Sequence, residues 1–196
     1  MKTIFFTLFF SVVCFSQNTK EIHYITAEAT IIAPLGKLSN KFNYAQSYGF
    51  WVKEKTNRDI YASLGIAFLI LNKGKNIQYK TQDSTYNISS ENYGIDFGFR
   101  ITKKKQFSKN NSIEVSNTLA IHYLSYNFPN RKSDESDNKK GNGFKNTTGL
   151  FAPEISFIHK NMGVKIQYRY TPFSVIDGFE SKFGSQSIAF GLVYKQ

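Results

Sequence analysis

Between Tyr93 and Thr102 the side chains alternate without a fault. Tyr93, Ile95, Phe97, Phe99 and Ile101 are apolar, and Gly94, Asp96, Gly98, Arg100 and Thr102 are small or polar. Successive side chains of an extended chain point to opposite faces, so the segment predicts a strand with one oily and one polar surface. Val164, Ile166, Tyr168 and Tyr170 oppose Lys165, Gln167, Arg169 and Thr171 in the same way, and Ile188, Phe190, Leu192 and Tyr194 oppose Ser187, Ala189, Gly191 and Val193. Less regular versions cover residues 22–33, 42–53, 60–71, 113–126 and 149–158; in the second of these Phe42, Tyr44, Tyr48, Phe50 and Val52 oppose Asn43, Ala45, Ser47 and Gly49. This makes about eight strands of roughly ten residues, the length a tilted strand needs to cross a bilayer. Strands of ordinary globular sheets are nearer five or six residues.

The N-terminus has a different character. Met1 and Lys2 precede an apolar run from Ile4 to Phe15, broken only by Thr7 and Ser11. A dozen residues are too few for a spanning helix, which takes roughly 20, but they suit the core of a signal peptide. Cleavage after Ser16 places Cys14 and Ser16 at the two small-residue positions, so residues 1–16 are expected to be a signal peptide and 17–196 one domain. Cys14 is the single cysteine, and Val13 before it does not suit lipidation. A mature chain without cysteine has no disulfide, thiol nucleophile or thiolate metal site.

The connections also sort themselves. Glu54–Asp59, Lys103–Asn111 and Lys160–Met162 are short, while 72–90, 129–146 and 174–183 are long; the first outer connection, Pro34–Lys41, is modest. Alternating short and long connections predict an up-and-down meander with turns on one rim and loops on the other. Mean hydropathy is −0.36, which does not exclude a membrane barrel, because inward and outward residues average out. The apolar faces are nearly free of charge, and a lipid-facing Lys or Arg would cost about 2–4 kcal/mol at mid-bilayer. The polar faces carry small residues and charges of both signs: Glu28, Asp96, Arg100, Glu114, Glu154, Lys165 and Arg169. The expected fold is all-β, a closed antiparallel transmembrane barrel of about eight strands. A soluble, lipocalin-like barrel with the apolar face inward is the alternative that periodicity alone leaves open.

The final segment, Ser187-Ile188-Ala189-Phe190-Gly191-Leu192-Val193-Tyr194-Lys195-Gln196, resembles the assembly signal that ends small outer-membrane barrels of the OmpA/OmpX type, although Gln196 stands where an aromatic is usual. The likeness extends over essentially the whole mature chain. It implies outer-membrane lipid and lipopolysaccharide as surroundings, and barrel assembly machinery as a partner of the last strand. Fold does not fix function, so it implies place and architecture without an activity.

The lumen charges admit a catalytic reading, with Glu114 and Glu154 as an acid–base pair. An eight-stranded barrel is just wide enough for side chains to fill it, and buried charges must pair. The favoured reading is therefore an ion-pair plug formed by Glu28, Asp96, Arg100, Glu114, Glu154, Lys165 and Arg169, not an open pore. A second enzyme reading uses His122 and Ser125, because lipid A deacylases of this fold resemble the chain thinly through a His-x-Ser motif. Here two residues separate the pair, which puts them on opposite faces of a strand. His23, His122 and His159 have no metal-ligand spacing, and no cofactor is expected. The formal charge of +11 admits nucleic-acid binding, but a signal peptide argues against it. Rim lysines facing anionic headgroups are the simpler account, with Tyr44, Tyr48, Tyr93, Tyr123, Tyr168 and Tyr170 as interfacial belts. A non-enzymatic envelope or surface role is expected, with any extracellular partner met at the loops 72–90, 129–146 and 174–183.

Overall fold

The computed structural model of the chain describes residues 24–72, 77–80, 85–88, 92–127, 143–173 and 184–196. The expected signal peptide, the connection 174–183 and most of 129–146 lie outside the described residues. Ten strands are seen: β1 Tyr24–Pro34, β2 Ala45–Asn57, β3 Ile60–Leu71, β4 Ile77–Lys80, β5 Thr85–Ile88, β6 Asn92–Gln106, β7 Asn111–Asn127, β8 Gly143–His159, β9 Met162–Tyr170 and β10 Gln186–Lys195. Eight of them close a barrel in the order β1-β10-β9-β8-β7-β6-β3-β2. Every neighbour is antiparallel, and the first and last strands seal the sheet from Thr26–Lys195 to Pro34–Ser187.

Several boundaries differ from the sequence reading. The connection 72–90 holds its own hairpin, β4 with β5, paired from Ile77–Ile88 to Lys80–Thr85. Four-residue strands are too short for a period of two to stand out. Lys103, Lys104 and Lys105 are strand residues of β6, so the short turn shrinks to 107–110. The β7–β8 ladder continues to Asn127–Gly143, so Gly143 and Lys145 belong to β8 and not to a loop. Phe42 precedes β2 and escapes its parity. It follows the 3-10 helix Gly36–Asn40 and is buried rather than lipid-facing. At the opposite rim the backbone bonding continues into the turns: Lys104 N–H donates to Asp59 O at 2.8 Å, Lys160 to Asn110 at 2.7 Å and Lys195 to Asn161 at 2.8 Å.

The faces settle which side is inside. Leu119 is 62% exposed and Leu192 57%, whereas Thr118 between β7 neighbours is 2%. Outward-facing Ile31, Phe50, Ile70, Ile101, Ile121, Ile155 and Ile166 continue this surface around the barrel. Such a girdle far exceeds the apolar patches that soluble monomers show. The buried set is instead dominated by Thr, Ser and charged residues. This is the reverse of a lipocalin-like barrel and the arrangement of a membrane-spanning one. Tyr44, Tyr48, Tyr93, Tyr168 and Tyr170 are outward and exposed or partly so towards the long-loop rim, while the single tryptophan, Trp51, points inward.

One ladder is incomplete. The β8–β9 pairing passes from Phe151–Tyr170 directly to Glu154–Gln167. Pro153 lies in the gap, and a proline has no N–H to give its neighbour.

Leu119→Arg tests the orientation of the faces. In a membrane barrel it is expected to lower unfolding free energy by about 2–4 kcal/mol, read from urea unfolding in lipid vesicles. A barrel with this face in water would barely respond.

Candidate functional site

Inward parity brings side chains from all eight barrel strands into one bore. Glu28 of β1 is its central acceptor. Arg100 of β6 binds it with both guanidinium nitrogens, Nη1 to Oε1 and Nη2 to Oε2, the latter at 3.2 Å. Lys165 of β9 donates to the same carboxylate at 2.7 Å, and the Trp51 indole N–H of β2 at 3.2 Å. The Arg100 guanidinium lies 3.9 Å from the Trp51 ring centroid, a cation–π contact, and its Nε donates to Thr118 Oγ1 at 3.0 Å. Trp51 fits because β3 offers Gly65 beside it, where a Cβ would collide with the indole and with the Phe50 carbonyl.

Glu154 of β8 extends the cluster. It accepts from Lys165 at 2.8 Å, from Gln167 Nε2 at 3.1 Å and from Ser156 Oγ at 3.2 Å. Towards the long-loop mouth, Asp96 of β6 accepts from Arg169 at 2.6 Å and lies 2.5 Å from His122 Nδ1. Three carboxylates thus meet three permanent cations, Arg100, Lys165 and Arg169. Phe173, which packs on His122 (5.8 Å) and on Phe42 (5.9 Å), covers this tier together with Leu38. Towards the short turns, Thr102 and Ser116 share a 2.9 Å hydrogen bond. Beyond them Glu114 of β7 takes an ion pair from Lys53 of β2 at 2.9 Å and another from Lys195 of β10. Lys53 also sits 4.4 Å above the Tyr61 ring of β3.

All seven residues singled out from the sequence, Glu28, Asp96, Arg100, Glu114, Glu154, Lys165 and Arg169, line the bore and are buried. They form two groups, with Glu114 apart from the other six. Glu114 and Glu154 are held by different lysines and not by one another. The sequence reading missed Trp51, Lys53 and Lys195. Continuing the alternation of β2 two steps past Gly49 would have found the first two. His122 and Ser125 do not converge: His122 is inward and tied to Asp96, and Ser125 is on the opposite parity, paired across with Tyr93 and Lys145. His122 Nε2 is buried without a hydrogen-bond partner among the described residues, so no hydroxyl meets it.

Closed sheet, apolar exterior and filled bore together define the fold of a small membrane-spanning β-barrel. The chain is similar to the crystal structure of Neisserial surface protein A (NspA), with a TM-score of 0.58 over 88% of this chain and 95% of that one, at 9% identity. It also matches the N-terminal β-barrel domain of Pseudomonas aeruginosa OprF at a TM-score of 0.43 and 14% identity, covering 90% of this chain and 100% of that one. Ail, the attachment invasion locus protein of Yersinia pestis, matches at 0.47 and 10%, covering 90% and 97%. No family model and no curated protein matches the sequence. At such identities the likeness is one of fold.

Glu28→Gln weakens the acceptor shared by Arg100 and Lys165. Breaking a buried pair from one side leaves the partner's charge uncompensated, so a loss of about 3–5 kcal/mol is expected from urea unfolding. Adding Arg100→Leu should cost clearly less than the sum of the two single changes, because the two side chains share one network.

Proposed function

We propose that the chain is a non-enzymatic integral barrel of the outer membrane, with an envelope-structural or surface-contact role exercised through its long connections. The observation that carries this reading is the pairing of an apolar girdle with a bore that side chains fill. A girdle of that kind needs lipid around it. A bore packed with paired charges leaves no continuous aqueous path for solutes, which argues against a general porin. The signal peptide expected at 1–16 supports export, and β10 supplies the terminal strand that assembly machinery would engage. On this orientation the short turns face the periplasm, and the loops 72–90, 129–146 and 174–183 meet lipopolysaccharide and any partner outside the cell.

The enzyme alternative requires a nucleophile beside a base. Among the described residues the one buried imidazole, His122, has a carboxylate and a guanidinium in its network but no serine. His122→Ala is expected to leave the acylation of lipid A unchanged, as mass spectrometry of extracted lipid would read. Loss of deacylation in that variant would overturn the non-enzymatic reading.

Location is tested by fractionation with electrophoresis before and after boiling. The protein is expected in the outer-membrane pellet and to change mobility on heating, because a closed barrel stays folded in mild detergent. Recovery as soluble protein with one mobility would sink the proposal.

A further inference from the structure

The charges of the bore are not spread evenly. Around Glu28, Glu154 and Asp96 three carboxylates meet Arg100, Lys165 and Arg169, one cation for each anion. At the short-turn mouth the balance fails. A hollow of about 150 Å³ opens there, lined by Lys53, Lys104, Lys160 and Lys195 against one acidic side chain, Glu114, and the last residue, Gln196, whose α-carboxylate is the second anion. Lys53 and Lys195 already converge on one oxygen of Glu114, Oε2. Lys104 faces Glu114 across the β6–β7 ladder, but the ion pairs of that carboxylate go to Lys53 and Lys195, and neither Lys104 nor Lys160 makes an ion pair among the described residues.

A plug alone would not be built this way. One lysine satisfies Glu114, and every further ammonium adds repulsion that a barrel wall of Thr or Ser would avoid. Lys53 is 5% exposed and so cannot swing its charge far into water. Its ammonium sits over the ring of Tyr61, which meets that of Tyr24 edge-on at 6.3 Å, and both tyrosines line the hollow. The space equals several waters at roughly 30 Å³ each, which is room for a tetrahedral oxyanion. Ammonium groups bind phosphate as point charges, without needing the planar fork of arginine. Against Glu114 and the Gln196 α-carboxylate the four lysines leave a surplus of two cations, which a group carrying two negative charges would offset and a single carboxylate would only halve.

We propose that the short-turn mouth is a binding site for a phosphate group, held by Lys53, Lys104, Lys160 and Lys195 beside Glu114. The site takes either a free soluble phosphate or the phosphomonoester of a lipid headgroup at the rim. It stands apart from the long-loop side, where the surface role is placed, and does not depend on that role.

The experiment titrates inorganic phosphate into the full mature barrel in non-ionic detergent at low ionic strength, by calorimetry with chloride as the control anion. Saturable binding of one phosphate is expected. The double change Lys104→Gln with Lys160→Gln, which leaves both Glu114 ion pairs in place, should weaken it about tenfold or more. Lys103→Gln with Lys105→Gln removes the same charge from the exposed positions flanking Lys104 and should leave it unchanged. Heat-shifted gel mobility confirms that each variant is folded. No saturable heat, or equal weakening by both double variants, would overturn the site in favour of diffuse attraction. Micelles doped with phosphatidic acid separate the sources: displacement of phosphate by the lipid assigns the headgroup, and undiminished phosphate binding assigns the soluble ion.

Discussion

A backbone that crosses hydrocarbon has nothing but itself to bond to. Each unpaired N–H or C=O in the bilayer core costs several kcal/mol, so a sheet that enters must close. The seal between β1 and β10 is therefore the contact on which the rest depends. It joins residues nearly the whole described chain apart, Thr26 with Lys195 and Pro34 with Ser187. Once it is made, parity does the remaining sorting. Outward positions must be apolar because lipid surrounds them, and polar residues can go only inward. The inversion relative to soluble proteins follows from closure in lipid and needs no separate cause.

Inward, the same geometry creates a second demand. The bore of an eight-stranded barrel is narrow, and its residues have little water to solvate them. Glu28 is 8% exposed and Asp96 2%, so each charge must find its opposite among the few strands in reach. Most of the partners come from beyond the adjacent strands: Glu28 on β1 meets β6 and β9 as well as its neighbour β2, and Glu114 on β7 meets β2 and β10. Such pairs contribute little net stability compared with apolar packing, but they are costly to break from one side and so hold opposite walls in one arrangement. An aliphatic filling would have been indifferent to which wall met which.

The alternation of residue types made most of this legible in advance. Tyr93–Thr102 alone implies a two-faced strand, and the sorting of short and long connections implies the meander. What parity cannot carry is register across the bore. Nothing in the sequence says that Glu114 takes Lys53 and Lys195 while Glu28 takes Arg100, because those contacts cross the bore and depend on barrel tilt, unlike the Glu154–Lys165 pair of the adjacent strands β8 and β9. Elements outside the long strands were also hidden. The β4–β5 hairpin is too short to show a period, and Phe42 turns inward because it belongs to the segment after a 3-10 helix. Trp51 was obscured for another reason. Its size and apolarity suggest lipid, yet its indole N–H finds Glu28 and its ring lies under Arg100. A tryptophan inside a polar bore is readable only by holding strictly to the period of two.

The gap at Pro153 shows how the two demands compensate one another. The missing N–H leaves the β8–β9 ladder without the pairs Ala152–Arg169 and Pro153–Tyr168, a local break in the closure that the membrane requires. Directly inside that break the same two strands are joined by side chains. Glu154 of β8 accepts from Lys165 and Gln167 of β9, at 2.8 and 3.1 Å. Hydrogen bonds to a charged group are worth about 1.5–3 kcal/mol, against roughly 0.5–1.5 for a neutral backbone bond. The polar bore thus supplies from within what the ladder lacks in the wall. Exchanging Glu154 and Lys165 for an apolar pair would keep the bore filled, but at the level of Pro153 it would leave β8 and β9 without the side-chain links that accompany the gap in their ladder.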